Sequence, residues 1–162
     1  MKTCINKDKF LDTKPQLYPA DKKTKEEITN SLSYFLSDFR IKCANTIGNP
    51  GNKNNDSNSL NIVIELSDNN IYLLKKIPKK NIQIRSINQM TQLIYWCRTS
   101  GINIPKIYAA TNKNFFIQKD NNFWILMEYI DGSFFSGEED QLNETAFACG
   151  KLFKALSNLP KK

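Results

Sequence analysis

Apolar residues recur along this chain at two spacings, and the changes between them divide it into elements. Ile28, Leu32, Phe35 and Phe39 fall three or four positions apart behind Thr24 and Glu27, a capping-box pair, so the spacing predicts a helix over residues 25–38. Residues 1–23 hold charges, two prolines and no sustained period, and read as an extended arm. After a strand, residues 45–59, NTIGNPGNKNNDSNS, are rich in Asn and Gly and read as a flexible loop. Two apolar runs follow, LNIVIEL and NIYLLKKI. They flank Ser67, Asp68 and Asn69, the spacing of a hairpin with an Asp/Asn turn.

Helical spacing returns with Ile87, Met90, Ile94 and Cys97, introduced by a second capping pair, Ser86 and Gln89, and stopped by Gly101. A short strand, KIYAAT, is expected after Pro105, then a second hairpin from NFFIQ to FWILMEYI, turning between Lys119 and Asn122. Leu142, Ala146, Cys149, Leu152, Phe153 and Leu156 make the inner face of a last helix ending near Pro160. Helix, strand, loop, hairpin, helix, further strands, helix is an α+β order with a mainly antiparallel sheet, because the hairpin connections are too short for crossovers.

One position breaks its own pattern. In IYLLKKIP, residues 71–78, strand alternation puts Lys75 on the face of Ile71, Leu73 and Ile77. Such a lysine either buries its stem and lets the ammonium reach water, or stands inside the fold to meet an anion such as a phosphate.

Composition narrows the classes. Among 162 residues, 40% hydrophobic and 11% aromatic content argues for a packed globular chain. Cys4, Cys43, Cys97 and Cys149 stand far apart, with no C-x-x-C and no histidine, which excludes the common zinc patterns. Reduced thiols and a cytoplasmic location are the expectation, with no secretory segment before Cys4 and no run long enough to span a membrane. Asn55 and Asn143 match the glycosylation pattern only by composition. The net charge of +7 is concentrated: no acidic residue lies between Asp68 and Asp120, where Lys75, Lys76, Lys79, Lys80, Arg85 and further cations fall. A field of that sign attracts nucleotides, nucleic acid or anionic lipid.

Three strings in series, YLLKK, GINIPKIY and FWILMEYIDG, resemble the N-terminal lobe of the aminoglycoside phosphotransferase and choline kinase-like family, a protein kinase-like fold. The resemblance covers about residues 28–160 and makes residues 24–162 one such lobe. In that family a lysine on the third strand holds nucleotide phosphates and a helix follows. A Gly-x-x-x-Pro segment then leads to the next strand, and a strand ending in a Met-Glu-Tyr-like hinge accepts adenine. The resemblance implies Lys75 as the phosphate lysine, with Lys76 the fallback should the register slip by one. It implies Met127, Glu128, Tyr129 and Ile130 as the hinge, the Glu128 carbonyl and the Ile130 amide facing the adenine edge.

The sequence departs from that family in three places. The lysine's usual partner, a glutamate on the following helix, is missing, and Gln89 and Gln92 are the nearest substitutes. The first loop, residues 48–59, is long and irregular. The His-Gly-Asp motif and the metal-binding Asp of a C-terminal lobe have no counterpart before Lys162. The expectation is a truncated or split small-molecule kinase, inactive alone: a gene remnant, one half of a split enzyme whose C-terminal lobe is a separate chain, or an adapted binding module. It would bind ATP weakly, and magnesium is not expected without the second lobe. The face awaiting that lobe should be an exposed apolar patch. The alternative is a non-enzymatic basic adaptor that binds nucleic acid or an acidic partner through residues 69–119.

Overall fold

The computed structural model describes residues 17–47, 59–132 and 138–158. In chain order these form β1 (Leu17–Pro19), α1 (Lys22–Leu32), β2 (Ile41–Ile47), β3 (Leu60–Leu66) and β4 (Ile71–Pro78). A 3₁₀ turn (Lys79–Asn81) leads to α2 (Ile84–Thr99), β5 (Ile117–Lys119), β6 (Asn122–Glu128) and α3 (Glu139–Ser157). The strands join in one six-stranded sheet of order β1-β2-β3-β4-β6-β5, with every neighbouring pair antiparallel. The fold is therefore α+β, with β6 inserted between β4 and its own hairpin partner β5.

That insertion explains the composition of β6. Phe123, Trp124, Ile125 and Leu126 are all buried, so both of its faces are covered and no polar alternation survives. Trp124 and Leu126 join Ile62, Ile64 and Leu74 beneath Ile28 and Leu32 of α1. Phe123 and Ile125 join Ile77 beneath Ile87, Met90 and Ile94 of α2. One helix thus covers each face, and strand periodicity assigns each residue to one of them.

Several boundaries differ from the sequence expectation, each for a local reason. The α1 cap is Asp21 rather than Thr24: the Thr24 amide donates to Asp21 Oδ1 at 2.7 Å, which starts the helix earlier. The helix ends at Leu32, and Phe35 and Phe39 pack on the same core from the segment beyond it. Helix α2 begins at Ile84 behind Gln83, which makes no side-chain cap, so Ser86 and Gln89 lie inside the helix. Gly101, at φ +81°, ends it as expected, its amide donating to the Arg98 carbonyl. KIYAAT contributes a single bridge, Ile107 to Met127, because the Ala110 amide turns away to the Asn114 carbonyl. In NFFIQ only the last residues pair, since Phe115 and Phe116 pack into the α2 cluster instead.

Within the segment read as an arm, residues 17–19 form β1 and residues 22–23 open α1. Residues 45–47, assigned to the flexible loop, complete β2. The rest of the arm and the loop at 48–58 lie outside the described residues, apart from Ser59, which precedes β3. The expected inner face of α3 is a correction of another kind: Leu142, Leu152 and Phe153 are exposed, and Ala155 is its buried residue. Among the described residues, no helix is long and apolar enough to cross a membrane.

Candidate functional site

The site begins with the register of β4. Lys75 stands opposite Asn61 of β3 and Ile125 of β6, and Lys76 stands opposite Leu60 and Trp124. Alternation sends them to different faces. Lys76 points to the α1 side, where its Nζ meets Glu27 Oε2 at 2.5 Å and lies 5.2 Å from the Trp124 ring centre. Lys75 is on the α2 side with Ile77, Phe123 and Ile125. It is half-buried, at the border between the covered Ile77 and the half-open Leu73. Among the described residues, no acidic side chain pairs with it.

Helix α2 supplies no substitute carboxylate. The residues it turns toward the sheet are Ile87, Met90, Thr91, Ile94 and Cys97, and the Thr91 hydroxyl donates to its own helix at the Asn88 carbonyl, 3.1 Å away. Gln89 and Gln92 are both exposed, on the side of the helix away from the centre of that stripe. Apart from Thr91, whose hydroxyl is turned to its own helix, the packed stripe is apolar.

The four residues expected to form a hinge divide. Met127 is packed in the α2 cluster on the face of Lys75, one strand across and opposite Leu73. Glu128 ends β6 and turns its carboxylate to the connection after α2, where Oε2 accepts from Arg98 Nη1 at 3.0 Å and from the Lys106 amide at 2.9 Å. The same Arg98 nitrogen donates to the Ile104 carbonyl at 2.5 Å, and the Glu128 amide donates to the Lys106 carbonyl. These bonds fasten the end of α2, the segment after Gly101 and the end of β6 to one another. Tyr129 is half-buried beyond the strand, and Ile130 is exposed. Lys75 and Met127 are thus brought to one face, while Glu128 is engaged as a clamp that the motif reading missed. A signal existed: Glu128 is the first acidic residue after Asp120, at the end of an apolar strand.

No family model and no curated protein matches this chain.

Two further arrangements are built by the sheet and its edge. A register shift between Ile41 and Cys43 lets adjacent side chains of β2 reach one carboxylate. Lys42 Nζ meets Glu65 Oε1 at 2.6 Å, and Cys43 Sγ donates to Glu65 Oε2 at 3.4 Å. The Lys42 bond, then the Cys43 bond, hold the Glu65 carboxyl below its ordinary range, while burial pushes the Cys43 thiol up. At the start of α2, an open groove of about 840 Å³ is lined by Lys79, Lys80, Gln83, Ser86 and Gln118 with neighbouring residues. Two smaller clefts lie along α2, and none of the three is lined by Lys75 or by residues 127–130. Other cations of residues 69–119 are engaged: Lys106 lies over the Tyr108 ring and Lys119 over that of Tyr34. Cys43, Cys97 and Cys149 are free thiols.

Proposed function

We propose that this chain carries the nucleotide-binding half of a small-molecule phosphotransferase site of the aminoglycoside phosphotransferase and choline kinase-like kind. Lys75 meets the phosphates, and the backbone of residues 127–130 meets the adenine. The observation that carries the reading is the contrast within β4, where Lys76 is committed to Glu27 while Lys75 has no acidic partner among the described residues. A half-buried ammonium on an apolar face costs free energy, which a bound phosphate would offset. Its place on the face of α2 and of Met127 agrees with the resemblance.

The residues fit the organic and anionic parts of ATP better than its metal. A cation and a strand end are present, but among the described residues no group of His, Cys, Asp and Glu side chains is arranged to hold a metal ion. In this reading Lys75 positions phosphate oxygens and steadies their charge. The groups that bind metal and orient a nucleophile belong, in this reading, to a second lobe carried by a separate chain. This chain by itself is expected to bind nucleotide without transferring its phosphoryl group. The groove beside Lys79 and Lys80 favours a second reading, a basic surface that binds nucleic acid or an acidic partner.

Titration with ATP at two salt concentrations separates the two, using the wild type, Lys75→Met and Lys76→Met. The nucleotide reading expects a dissociation constant of roughly millimolar, about −4 kcal/mol. Binding is expected to be lost in Lys75→Met, kept in Lys76→Met, and changed little by salt. Equal binding by all three, or binding that vanishes in moderate salt for all three, would give the contact to the basic surface instead.

A further inference from the structure

The last residue of β6 pairs irregularly with the segment before Tyr108. The bridge from Ile107 to Met127 sets Lys106 opposite Glu128, and in a regular antiparallel ladder the pair beside such a bridge exchanges two bonds, amide to carbonyl in each direction. One of the two is present: the Glu128 amide donates to the Lys106 carbonyl at 2.8 Å. The return bond is diverted. The Lys106 amide donates instead to Oε2 of the Glu128 side chain at 2.9 Å, so the carboxylate stands in for the carbonyl of its own residue.

The substitute acceptor is held in place. Arg98 Nη1 donates to the same oxygen at 3.0 Å, and that nitrogen also reaches the Ile104 carbonyl at 2.5 Å, so the end of α2 and the segment after Gly101 fix the carboxylate together. A charged acceptor bound by a guanidinium and an amide is stronger than a neutral carbonyl in the same place. The consequence falls on the backbone. With the Lys106 amide committed to the side chain, the Glu128 carbonyl is released from the ladder where the strand ends, and it can accept from a ligand without breaking that bond.

We propose that the Glu128 side chain is a positioning residue of the nucleotide site: by taking the Lys106 amide it frees its own carbonyl to accept from the 6-amino group of adenine. The inference rests on the nucleotide reading and gives a role to a side chain where that reading uses only backbone. The carboxylate touches neither base nor phosphate. Removing it returns the Lys106 amide to the carbonyl, closes the ladder by one bond, and withdraws the acceptor from the base.

The exchange of bonds is read first in the wild-type chain, by NMR coupling through the hydrogen bond. The Lys106 nitrogen should couple to the carboxyl carbon of the Glu128 side chain, and coupling to the Glu128 backbone carbonyl carbon would overturn the proposal. Affinity is then compared for ATP, for purine riboside triphosphate, which lacks the 6-amino group, and for tripolyphosphate. The wild type should bind ATP roughly three- to tenfold more tightly than purine riboside triphosphate, the weight of one hydrogen bond. Glu128→Ala should lose that preference while holding tripolyphosphate as the wild type does. Glu128→Gln, whose side-chain carbonyl can still accept from the Lys106 amide, should keep it. A general loosening of the strand end would weaken both nucleotides alike, so an unchanged ratio in Glu128→Ala overturns the proposal, as does a wild type that does not distinguish the two. In either case, ATP binding that still needs Lys75 leaves the phosphate end of the nucleotide reading standing. ATP binding indifferent to Lys75→Met sinks that reading and this inference with it.

Discussion

Because successive strand residues point to opposite faces, the adjacent lysines of β4 should respond differently to the same substitution. Lys76→Met leaves the Glu27 carboxylate, only 28% exposed, without its partner, and is expected to lower unfolding free energy by about 1–2 kcal/mol in urea denaturation. Glu27→Gln with Lys76→Met should cost less than the sum of the two single changes, the sign of a real coupling. Lys75→Met removes no pair among the described residues, and its stability should be unchanged or slightly higher. Two carboxylates contribute to the acid response. The Thr24 amide holds Asp21 below its ordinary range, and Lys42 chiefly does so for Glu65. A group with a lowered folded pKa stabilises above its unfolded pKa, and that contribution is lost as pH falls through the folded value. Both therefore withdraw support on the acid side. Asp21→Asn keeps a capping oxygen and Glu65→Gln keeps a polar partner, so the double variant should show a flatter decline of the urea midpoint with falling pH. An unchanged slope would assign acid sensitivity to other groups.

Among the elements, the β5–β6 hairpin has the most demanding turn, with Asp120 at φ +48° and Asn121 at φ +59°. Two successive left-handed residues suit a two-residue hairpin, and Asn and Asp tolerate that region better than other non-glycine residues. Asn121→Gly should be neutral or raise stability by a few tenths of a kcal/mol, and Asn121→Val should lower it by about 1–2 kcal/mol, by thermal melting. This turn was legible in the sequence because its chemistry is local. So was the hairpin of β3 and β4, where the period-2 pattern also placed Lys75 on its face. What was not legible depended on neighbours. The spacing of Asp21 to Thr24 duplicates that of Thr24 to Glu27, and only the geometry shows which residue caps α1. KIYAAT has strand composition but loses its ladder to a turn at Ala110. In α3 the periodicity predicted the helix but not its orientation, since an apolar stripe does not say which way the helix is turned. The Glu128 clamp joins residues 22 to 30 positions apart, beyond the reach of any local pattern.

At the scale of the whole molecule, the sheet divides the fold into two apolar layers. One lies under α1 and the other under α2, with ion pairs and the candidate lysine at their margins. The candidate nucleotide face is half-covered: α2 closes the end near Ile77, and Leu73 and Lys75 are left part-open. The order β4-β6-β5 sets β6 inside the sheet, where its alternate residues serve the two layers in turn. The same arrangement sets a timescale. An amide in the middle of β6 exchanges its proton for deuterium only when strands on both sides and helices on both faces let go together. Under native conditions its labelling should proceed at the rate set by complete unfolding, while the amides of α3, which leans on the domain mainly through Ala155, label far sooner. Mass-resolved exchange of peptides covering residues 122–128 and 139–157 would read this directly, and labelling of β6 as fast as that of α3 would mean that the sheet opens strand by strand.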